Sequence, residues 1–180
     1  MNPFCFFERV SRLTIVIFDL EGVLIDNSKR LRYALQKVGA KDIESLAYPL
    51  RGRFWKIFLD KDLASRMDTV NMVGLKLLVE KARKHKIAII SGSPCEIVRD
   101  HMEKIYVKLS EMNAEIEISY VFCRKGTREK APDFKERIIR RLILEDKVVE
   151  IHDDDERVLS RAKKYGIKCI LWINLQPVES

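Results

Sequence analysis

Two carboxylates follow directly on a short, mostly apolar stretch near the start of the chain. The stretch Thr14-Ile-Val-Ile-Phe18 has the composition typical of a strand buried on both faces of a parallel sheet. Asp19 and Glu21 come next, and side chains at positions i and i+2 of an extended segment project in the same direction. Gly22 lets the backbone turn away behind them. Acids at the carboxyl end of such a strand lie where open α/β sheets bind ligands, so this pair is a candidate for nucleophilic and acid–base chemistry.

Two later apolar stretches also end in polar groups. Residues 87–90 lead to Ser91, which precedes a glycine turn at the expected start of a helix, where a hydroxyl and nearby amides can bind phosphate oxygens. Residues 148–151 lead to Asp153 and Asp154, carboxylates of the kind that hold a hard cation such as Mg²⁺. Two simpler interpretations stay open: Ser91 as an ordinary turn residue, and an acidic loop that binds no metal.

Four segments, in this order along the chain, resemble the motifs of the haloacid dehalogenase-like (HAD) hydrolase superfamily. They are Phe18-Asp-Leu-Glu-Gly-Val-Leu24, Ile89-Ile-Ser-Gly-Ser93, a lysine that opens the next helix, and Val148-Val-Glu-Ile-His-Asp-Asp154. The resemblance covers most of the chain outside residues 28 to 70. It implies a phosphatase that hydrolyses phosphate monoesters through an aspartyl-phosphate intermediate, with Mg²⁺ as its cofactor.

The resemblance also implies a role for each position in these motifs. Asp19 would be the nucleophile and Glu21 the general acid and base. The phosphate-binding residues would be Ser91, Gly92 and Lys135. The ligands of Mg²⁺ would be Asp19, the backbone carbonyl of Glu21, Asp153 and Asp154.

Glu21 departs from the aspartate that is usual at its position in the family. Branches that include the enolase-phosphatases and phosphoserine phosphatase-like phosphotransferases carry Asp-x-Glu-Gly, so the resemblance still implies activity. The alternative is a non-catalytic HAD-like binding module, in which Glu21 marks lost or altered chemistry.

Two lysines compete for the position beside the phosphate. Lys130 lies in a Lys-Ala-Pro-Asp-Phe stretch similar to the Lys-Pro-x-Pro wording of some branches, and Lys135 lies three residues before Ile138, the spacing of others. An ammonium group there would offset the charge that develops in the transition state. We expect Lys135 to hold this position, with Lys130 as the alternative.

Strand and helix patterns alternate along the chain, which predicts an α/β fold with a doubly wound, Rossmann-like parallel sheet. Residues 1–27 and 71–180 are expected to form this core. Within residues 28–70, positions 29–38 have the pattern of a helix, whereas residues 40–70 have weaker periodicity and a bulky cluster at 54–59. The segment is therefore predicted to be a small helical insert. The resemblance implies that such an insert is a cap that selects substrates. The alternative is an ordinary pair of crossover helices packed on the sheet.

The net charge of +7 favours an anionic partner, either a small phosphorylated substrate or, less strongly, a nucleic acid. Two sequence segments favour different substrates. Ser91-Gly-Ser-Pro94 is similar to the phosphoserine phosphatase-like branch, which acts on small metabolites. Asp153-Asp-Asp-Glu-Arg-Val158 is similar to the phosphatase domain of polynucleotide kinase, which implies a polynucleotide 3′-phosphatase as the alternative. The small molecule is the preferred prediction, and the oligomeric state is left open.

The remaining features predict a cytoplasmic protein with no membrane partner. No apolar run approaches the roughly 20 residues that span a bilayer. Residues 1–8 are not interpreted as a signal peptide and are expected to pack across the sheet or fray. The scattered cysteines, Cys5, Cys95, Cys123 and Cys169, are expected to be buried or idle thiols. No catalytic role is assigned to His85, His101 or His152.

Overall fold

A computed structural model describes residues 14–126 and 129–178, so the prediction for residues 1–8 lies outside the described residues. The main sheet has six strands in the order β5-β4-β1-β6-β7-β8. Its strands are β1 (Ile15–Phe18), β4 (Lys86–Pro94), β5 (Ile118–Arg124), β6 (Val148–Asp153), β7 (Lys168–Ile173) and β8 (Gln176–Val178). The helices are α1 (Ser28–Val38), α2 (Leu50–Phe58), α3 (Lys61–Met67), α4 (Met72–Ala82), α5 (Cys95–Glu111), α6 (Ala131–Glu145) and α7 (Glu156–Lys163). Two short strands, β2 (Ile25–Asp26) and β3 (Thr69–Val70), pair with each other in antiparallel orientation.

The central strand β1 pairs in parallel with β4 on one side and with β6 on the other. All of its residues are buried, as its apolar composition requires. Phe18 is in register with Ile89 and His152, so the carboxyl ends of these three parallel strands lie on the same side of the sheet. The residues that follow β1 and β6 are therefore brought together.

Helices cover both faces of this sheet. One apolar cluster joins the sheet to α4 and α5, and includes Phe18, Leu75 and Ile105. A second cluster on the opposite face joins it to α6 and α7, and includes Ile17, Ile139 and Leu159. The prediction of a doubly wound, Rossmann-like α/β fold is confirmed.

The sheet departs from the predicted all-parallel arrangement at one edge. The strand expected to be the last, β7, is followed by β8, which pairs with it in antiparallel orientation. The connection passes through Asn174 and Leu175, both with positive φ values. Such a tight turn usually contains glycine, and none is present here, so the sequence carried no strong hairpin signal.

The segment between residues 28 and 70 contains α1, α2 and α3 and carries an apolar cluster of its own. Ala34, Val38, Leu46 and Phe54 are buried together, apart from the two clusters that line the sheet. Helix α3 also contacts α5, where Lys104 Nζ donates to the carbonyl of Ser65 at 2.7 Å and to that of Asp68 at 2.9 Å. The segment is thus a small packed unit attached to the core through α5.

His152 is buried in the sheet, where its ring stacks on Phe18 with the centroids 4.4 Å apart. Trp172 Nε1 donates to its Nδ1 at 3.1 Å, so the ring proton lies on Nε2, which is 2.7 Å from a carboxylate oxygen of Glu150. Burial lowers the pKa of His152 to about 4 although Glu150 favours the charged form. This histidine is a neutral core residue.

Within the described residues, no helix is both long and apolar enough to cross a membrane.

Candidate active site

Three carboxylates meet at the carboxyl ends of β1 and β6. Asp19 follows β1, and its amide donates to the carbonyl of His152 at 2.8 Å, which fixes the two strand ends side by side. Asp153 ends β6 and Asp154 follows it. One oxygen from each of the three aspartates lies within 4.8 Å of the others. The structure thus brings together Asp19, Asp153 and Asp154, three of the residues predicted to hold a metal ion.

Lys135 reaches this cluster from α6. Its Nζ is 2.7 Å from Asp19 Oδ2 and 2.8 Å from Asp153 Oδ2, and all three side chains are almost fully buried. Burial alone would lower the pKa of Lys135, but Asp153 and Asp19 outweigh it and raise that pKa above its usual value. Lys130, the alternative, precedes α6 at its N-cap and is exposed.

The three acids carry more negative charge than one lysine can balance. Burial raises the pKa of Asp19 well above its usual value, aided by Asp153, Asp154 and Glu21 and opposed by Lys135. Burial also raises the pKa of Asp153. Asp154 is exposed at the rim, yet the partial burial of its carboxyl group and the charge of Asp153 raise its pKa to about 6.

The cluster therefore fits a divalent cation, because a second positive charge would stabilise the ionised form of all three carboxylates. Its donors are oxygens, which suit Mg²⁺ better than softer metals.

Gly22 allows Asp154 to lie against the loop after β1. Its φ is +83°, and a Cβ at this position would stand 2.2 Å from Asp154 Oδ2. Any larger residue would both strain the backbone and displace a carboxylate of the cluster.

Glu21 points to the other side of the site, towards β4. Ser91 Oγ donates to Glu21 Oε2 at 2.8 Å and accepts from the amide of Ser93 at 3.0 Å. Burial raises the pKa of Glu21, but His101, Ser93 and Ser91 outweigh it, so the net pKa is lowered from its usual value. Ser91 thus anchors one oxygen of the Glu21 carboxyl group.

His101, to which the sequence assigned no role, lies beside Glu21. It lies on α5 and is fully buried, with Nδ1 3.7 Å from Glu21 Oε1 and Nε2 2.9 Å from Asp68 Oδ2. The three residues are far apart in the sequence, and only the packing of α5 brings them together. No local spacing could have pointed to this contact.

The loop after Ser91 differs in detail from the prediction. A turn and the start of a helix were expected directly after Ser91, whereas strand β4 extends to Pro94 and α5 begins at Cys95 with Pro94 as its N-cap residue. Gly92 lies against α6, since a Cβ there would be 2.7 Å from that of Ala131. Arg124 Nε donates to the carbonyl of Gly92 at 2.8 Å and holds the loop from β5.

The expectation of free thiols was wrong for Cys95 and Cys123, which form a disulfide. Cys95 opens α5 and Cys123 lies in β5, opposite Ser91 of the neighbouring strand. The two residues are 28 positions apart, so pairing depends on the parallel register of β4 and β5 rather than on a cysteine motif. Cys169 is a free cysteine, as predicted.

We expect the double substitution Cys95→Ser/Cys123→Ser to lower the free energy of unfolding by about 3 kcal/mol, because it releases a loop closed by the disulfide. Urea unfolding monitored by circular dichroism measures the change. Cys169→Ser is the matched control and is expected to cost less than about 1 kcal/mol. Equal stabilities of the double variant and the oxidised wild-type protein would contradict this prediction.

Comparison with known proteins gives matches in structure but not in sequence. No family model matches the chain, and no curated protein matches it. The fold is similar to that of a haloacid dehalogenase-like family hydrolase from Streptococcus pneumoniae, with a TM-score of 0.62, 14% identity, and coverage of 88% of this chain and 83% of that chain. The chain has the haloacid dehalogenase-like fold. The resemblance drawn from the motifs is thus confirmed at the level of the fold.

Two further matches differ in what the solved structures contain. CbbY from Rhodobacter sphaeroides in complex with phosphate has a TM-score of 0.57 at 16% identity, covering 88% of this chain and 85% of that chain. The Pnkp1/Rnl/Hen1 RNA repair complex includes a chain that matches with a TM-score of 0.56 at 16% identity, covering 90% of this chain and 43% of that chain.

Proposed function

We propose that this protein is a Mg²⁺-dependent phosphohydrolase that cleaves phosphate monoesters through an aspartyl-phosphate on Asp19. The observation that carries the proposal is the contact of Asp19 with Lys135, beside Asp153 and Asp154 at the end of β6. A buried carboxylate held by a buried ammonium group, with two more carboxylates within reach, is an arrangement that stabilisation of the fold alone does not require.

In the first step, a carboxylate oxygen of Asp19 attacks the phosphorus atom of the substrate. The new bond joins Asp19 to phosphorus as the bond from phosphorus to the ester oxygen breaks. Glu21 gives a proton to the departing oxygen, which leaves as an alcohol. Lys135 offsets the negative charge on Asp19 and on the transferring group.

In the second step, Glu21 accepts a proton from a water molecule as that water attacks the phosphorus atom. The bond between phosphorus and Asp19 breaks, inorganic phosphate leaves, and the Asp19 carboxylate is restored. Ser91 supports this exchange because its hydroxyl holds one oxygen of Glu21, and Ser91 and Gly92 are proposed to contact the phosphate oxygens.

The residues proposed to hold Mg²⁺ are Asp19, Asp153 and Asp154, together with the backbone carbonyl of Glu21. Bound Mg²⁺ would reduce the repulsion between the nucleophile and the phosphate. The raised pKa values of the three aspartates support this assignment, because burial and the neighbouring carboxylates disfavour their ionised forms and a bound cation would offset both effects.

The insert of residues 28–70 is proposed to act as a cap that favours a small phosphorylated metabolite. Aromatic side chains lie close together in it, with the rings of Phe54, Trp55 and Phe58 in mutual contact. An apolar unit beside the site would exclude water and shield a small substrate. A 3′-phosphorylated polynucleotide is the second candidate, supported by the net charge and by the fold match to the RNA repair complex.

The test is turnover of p-nitrophenyl phosphate and of a panel of phosphorylated acids, sugars and 3′-phosphorylated oligonucleotides, with MgCl₂ or with EDTA. We expect hydrolysis only with Mg²⁺, and the highest kcat/KM among the small metabolites. A preference for the oligonucleotides, with binding that falls steeply as salt is raised, would favour the second candidate.

Neighbouring aspartates provide a matched pair for the metal site. Asp154→Asn should abolish the response to Mg²⁺, whereas Asp155→Asn should keep it, because Asp155 caps α7 through the Arg157 amide and asparagine also serves as an N-cap. No turnover of any substrate at any Mg²⁺ concentration would instead favour a non-catalytic binding module.

A further inference from the structure

Glu21 has one carboxylate oxygen that is held and one that is not. Oε2 accepts the hydrogen bond from Ser91, whereas Oε1 is buried without a hydrogen-bond partner within the described part of the chain. The atom of His101 that faces it, Nδ1, is buried and equally without a partner there. Two buried polar atoms without partners, 3.7 Å apart, are a costly arrangement for a residue that serves packing alone.

The imidazole of His101 is held in place from its far side. Asp68 is fully buried, and its Oδ2 lies 2.9 Å from His101 Nε2. Because a carboxylate only accepts hydrogen bonds, this contact places a ring proton on Nε2 and directs Nδ1 towards Glu21.

Asp68 is fixed in turn by Arg30, which is also fully buried. Arg30 Nε donates to Asp68 Oδ1 at 3.1 Å, and its Nη2 lies 2.8 Å from Oδ2. The third nitrogen, Nη1, donates to the carbonyl of Phe58 at 2.6 Å, at the end of α2. Arg30 Nη2 contacts Asp68 as an ion pair without a hydrogen bond; the other atoms of this chain of contacts that lack a hydrogen-bond partner within the described residues are Glu21 Oε1 and His101 Nδ1.

We propose that His101 is a positioning residue that holds the Glu21 carboxyl group in the orientation needed to protonate the leaving group. The proposal rests on the proposed function, in which Glu21 is the general acid. In this role Nδ1 also carries a proton and donates to Glu21 Oε1, while Nε2 donates to Asp68. Hydrogen bonds between catalytic groups are often long in the free enzyme and shorten when substrate binds, so a separation of 3.7 Å suits this role. The longer side chain of glutamate, compared with aspartate, suits a site where the carboxyl group must reach both Ser91 and His101.

The role predicts a dependence on the leaving group. A nitrophenolate leaves without help from an acid, whereas an alkoxide needs a proton as the bond to phosphorus breaks. The parameter kcat/KM reports steps up to the transfer of phosphate to Asp19, and so excludes the later attack of water. Loss of orientation at Glu21 therefore affects kcat/KM for alkyl phosphates far more than for p-nitrophenyl phosphate.

Two substitutions of His101 by amide side chains test its contacts with Asp68 and with Glu21 separately. In His101→Gln the amide nitrogen can replace Nε2 beside Asp68, so the buried Asp68 and Arg30 keep their partners while the contact to Glu21 is lost. In His101→Asn the amide nitrogen can replace Nδ1 beside Glu21. His85→Gln is the control, since His85 contacts Thr14 at the opposite end of β1.

The experiment measures kcat/KM of each variant with p-nitrophenyl phosphate and with the best alkyl phosphate of the substrate panel, at saturating Mg²⁺. We expect His101→Gln to lose about 30-fold on the alkyl phosphate and less than about 3-fold on the aryl phosphate. His101→Asn should stay within about 5-fold of the wild-type protein on both, and His85→Gln should be unchanged. Equal losses on both substrates, no loss, or a larger selective loss in His101→Asn than in His101→Gln overturns the proposal.

Glu21→Gln separates failure of this inference from failure of the proposed function. If Glu21→Gln loses activity selectively on the alkyl phosphate and His101→Gln does not, only the role of His101 is wrong. If Glu21→Gln shows no such selectivity, the assignment of the general acid is wrong, and the role of His101 is overturned with it.

Discussion

Asp19→Asn is expected to lower kcat by at least about 10³-fold while making the metal-free protein more stable. The loss of activity follows from the chemistry, because an amide cannot attack phosphorus to form the covalent intermediate. The gain in stability follows from the site, where burial and three neighbouring acids raise the pKa of Asp19 despite Lys135. Asparagine fills the same space without the charge, so Tm in EDTA should rise by about 2–4 °C.

The pH dependence of this gain has a definite sign. A carboxyl group with a folded-state pKa above its unfolded value destabilises the fold when it is ionised, and this cost disappears as the pH falls and the group becomes protonated. The difference in Tm between Asp19→Asn and the wild-type protein should therefore shrink on acidification. Thermal unfolding between neutral and acid pH measures it.

Asp146→Asn is the matched control for Asp19→Asn. Asp146 lies just before β6, at the amino-terminal ends of the strands and away from the site, and accepts a hydrogen bond from Lys86 Nζ at 2.7 Å. This variant should keep full activity and should gain no stability, since it weakens an ion pair instead of relieving a repulsion. Retention of activity by Asp19→Asn would exclude this residue as the nucleophile.

The parts of the site that the sequence predicted are those in which a strand and its last side chains are contiguous. Asp19 directly follows an apolar run and Asp153 lies two residues beyond a mostly apolar one, and the carboxyl ends of parallel strands lie on the same side of a sheet, so both residues could be located. Lys135 could be preferred to Lys130 because it lies three residues before Ile138, a spacing that the resemblance to the family implies.

Contacts that depend on packing between distant segments could not be predicted from the sequence. His101 is 33 residues from Asp68 and is joined to it only where α5 packs beside the insert. The disulfide depends on the parallel register of β4 and β5. The sequence carries a weak signal for it, because Cys95 directly follows β4 and Cys123 lies near the end of β5, the next strand along the chain.

Lys135→Met is expected to have the second large effect, and its effect on stability has the opposite sign to that of Asp19→Asn. Lys135 is the cation in contact with both Asp19 and Asp153, and methionine leaves those buried acids without compensation. The metal-free variant should lose about 3–5 kcal/mol of stability, because removing one partner of a buried ion pair leaves an uncompensated charge. Its kcat should fall by about 10²–10³-fold, since a fixed positive charge no longer offsets the transferring phosphoryl group.

Mg²⁺ distinguishes the structural part of this effect from the catalytic part. A divalent cation bound by Asp19, Asp153 and Asp154 would restore part of the missing charge, so MgCl₂ should raise the Tm of Lys135→Met more than that of the wild-type protein. Activity should stay low at saturating Mg²⁺. Differential scanning fluorimetry and steady-state kinetics on the same samples measure the two responses.

Lys130→Met is the matched control, and it decides between the two lysines. Lys130 is exposed at the N-cap of α6, so its replacement should change neither stability nor kcat appreciably. If Lys130→Met lost activity and Lys135→Met kept it, the phosphate-neutralising charge would belong to Lys130. Lys135 would then serve only to hold Asp19 and Asp153 together, because its two contacts explain stability whether or not they also serve catalysis.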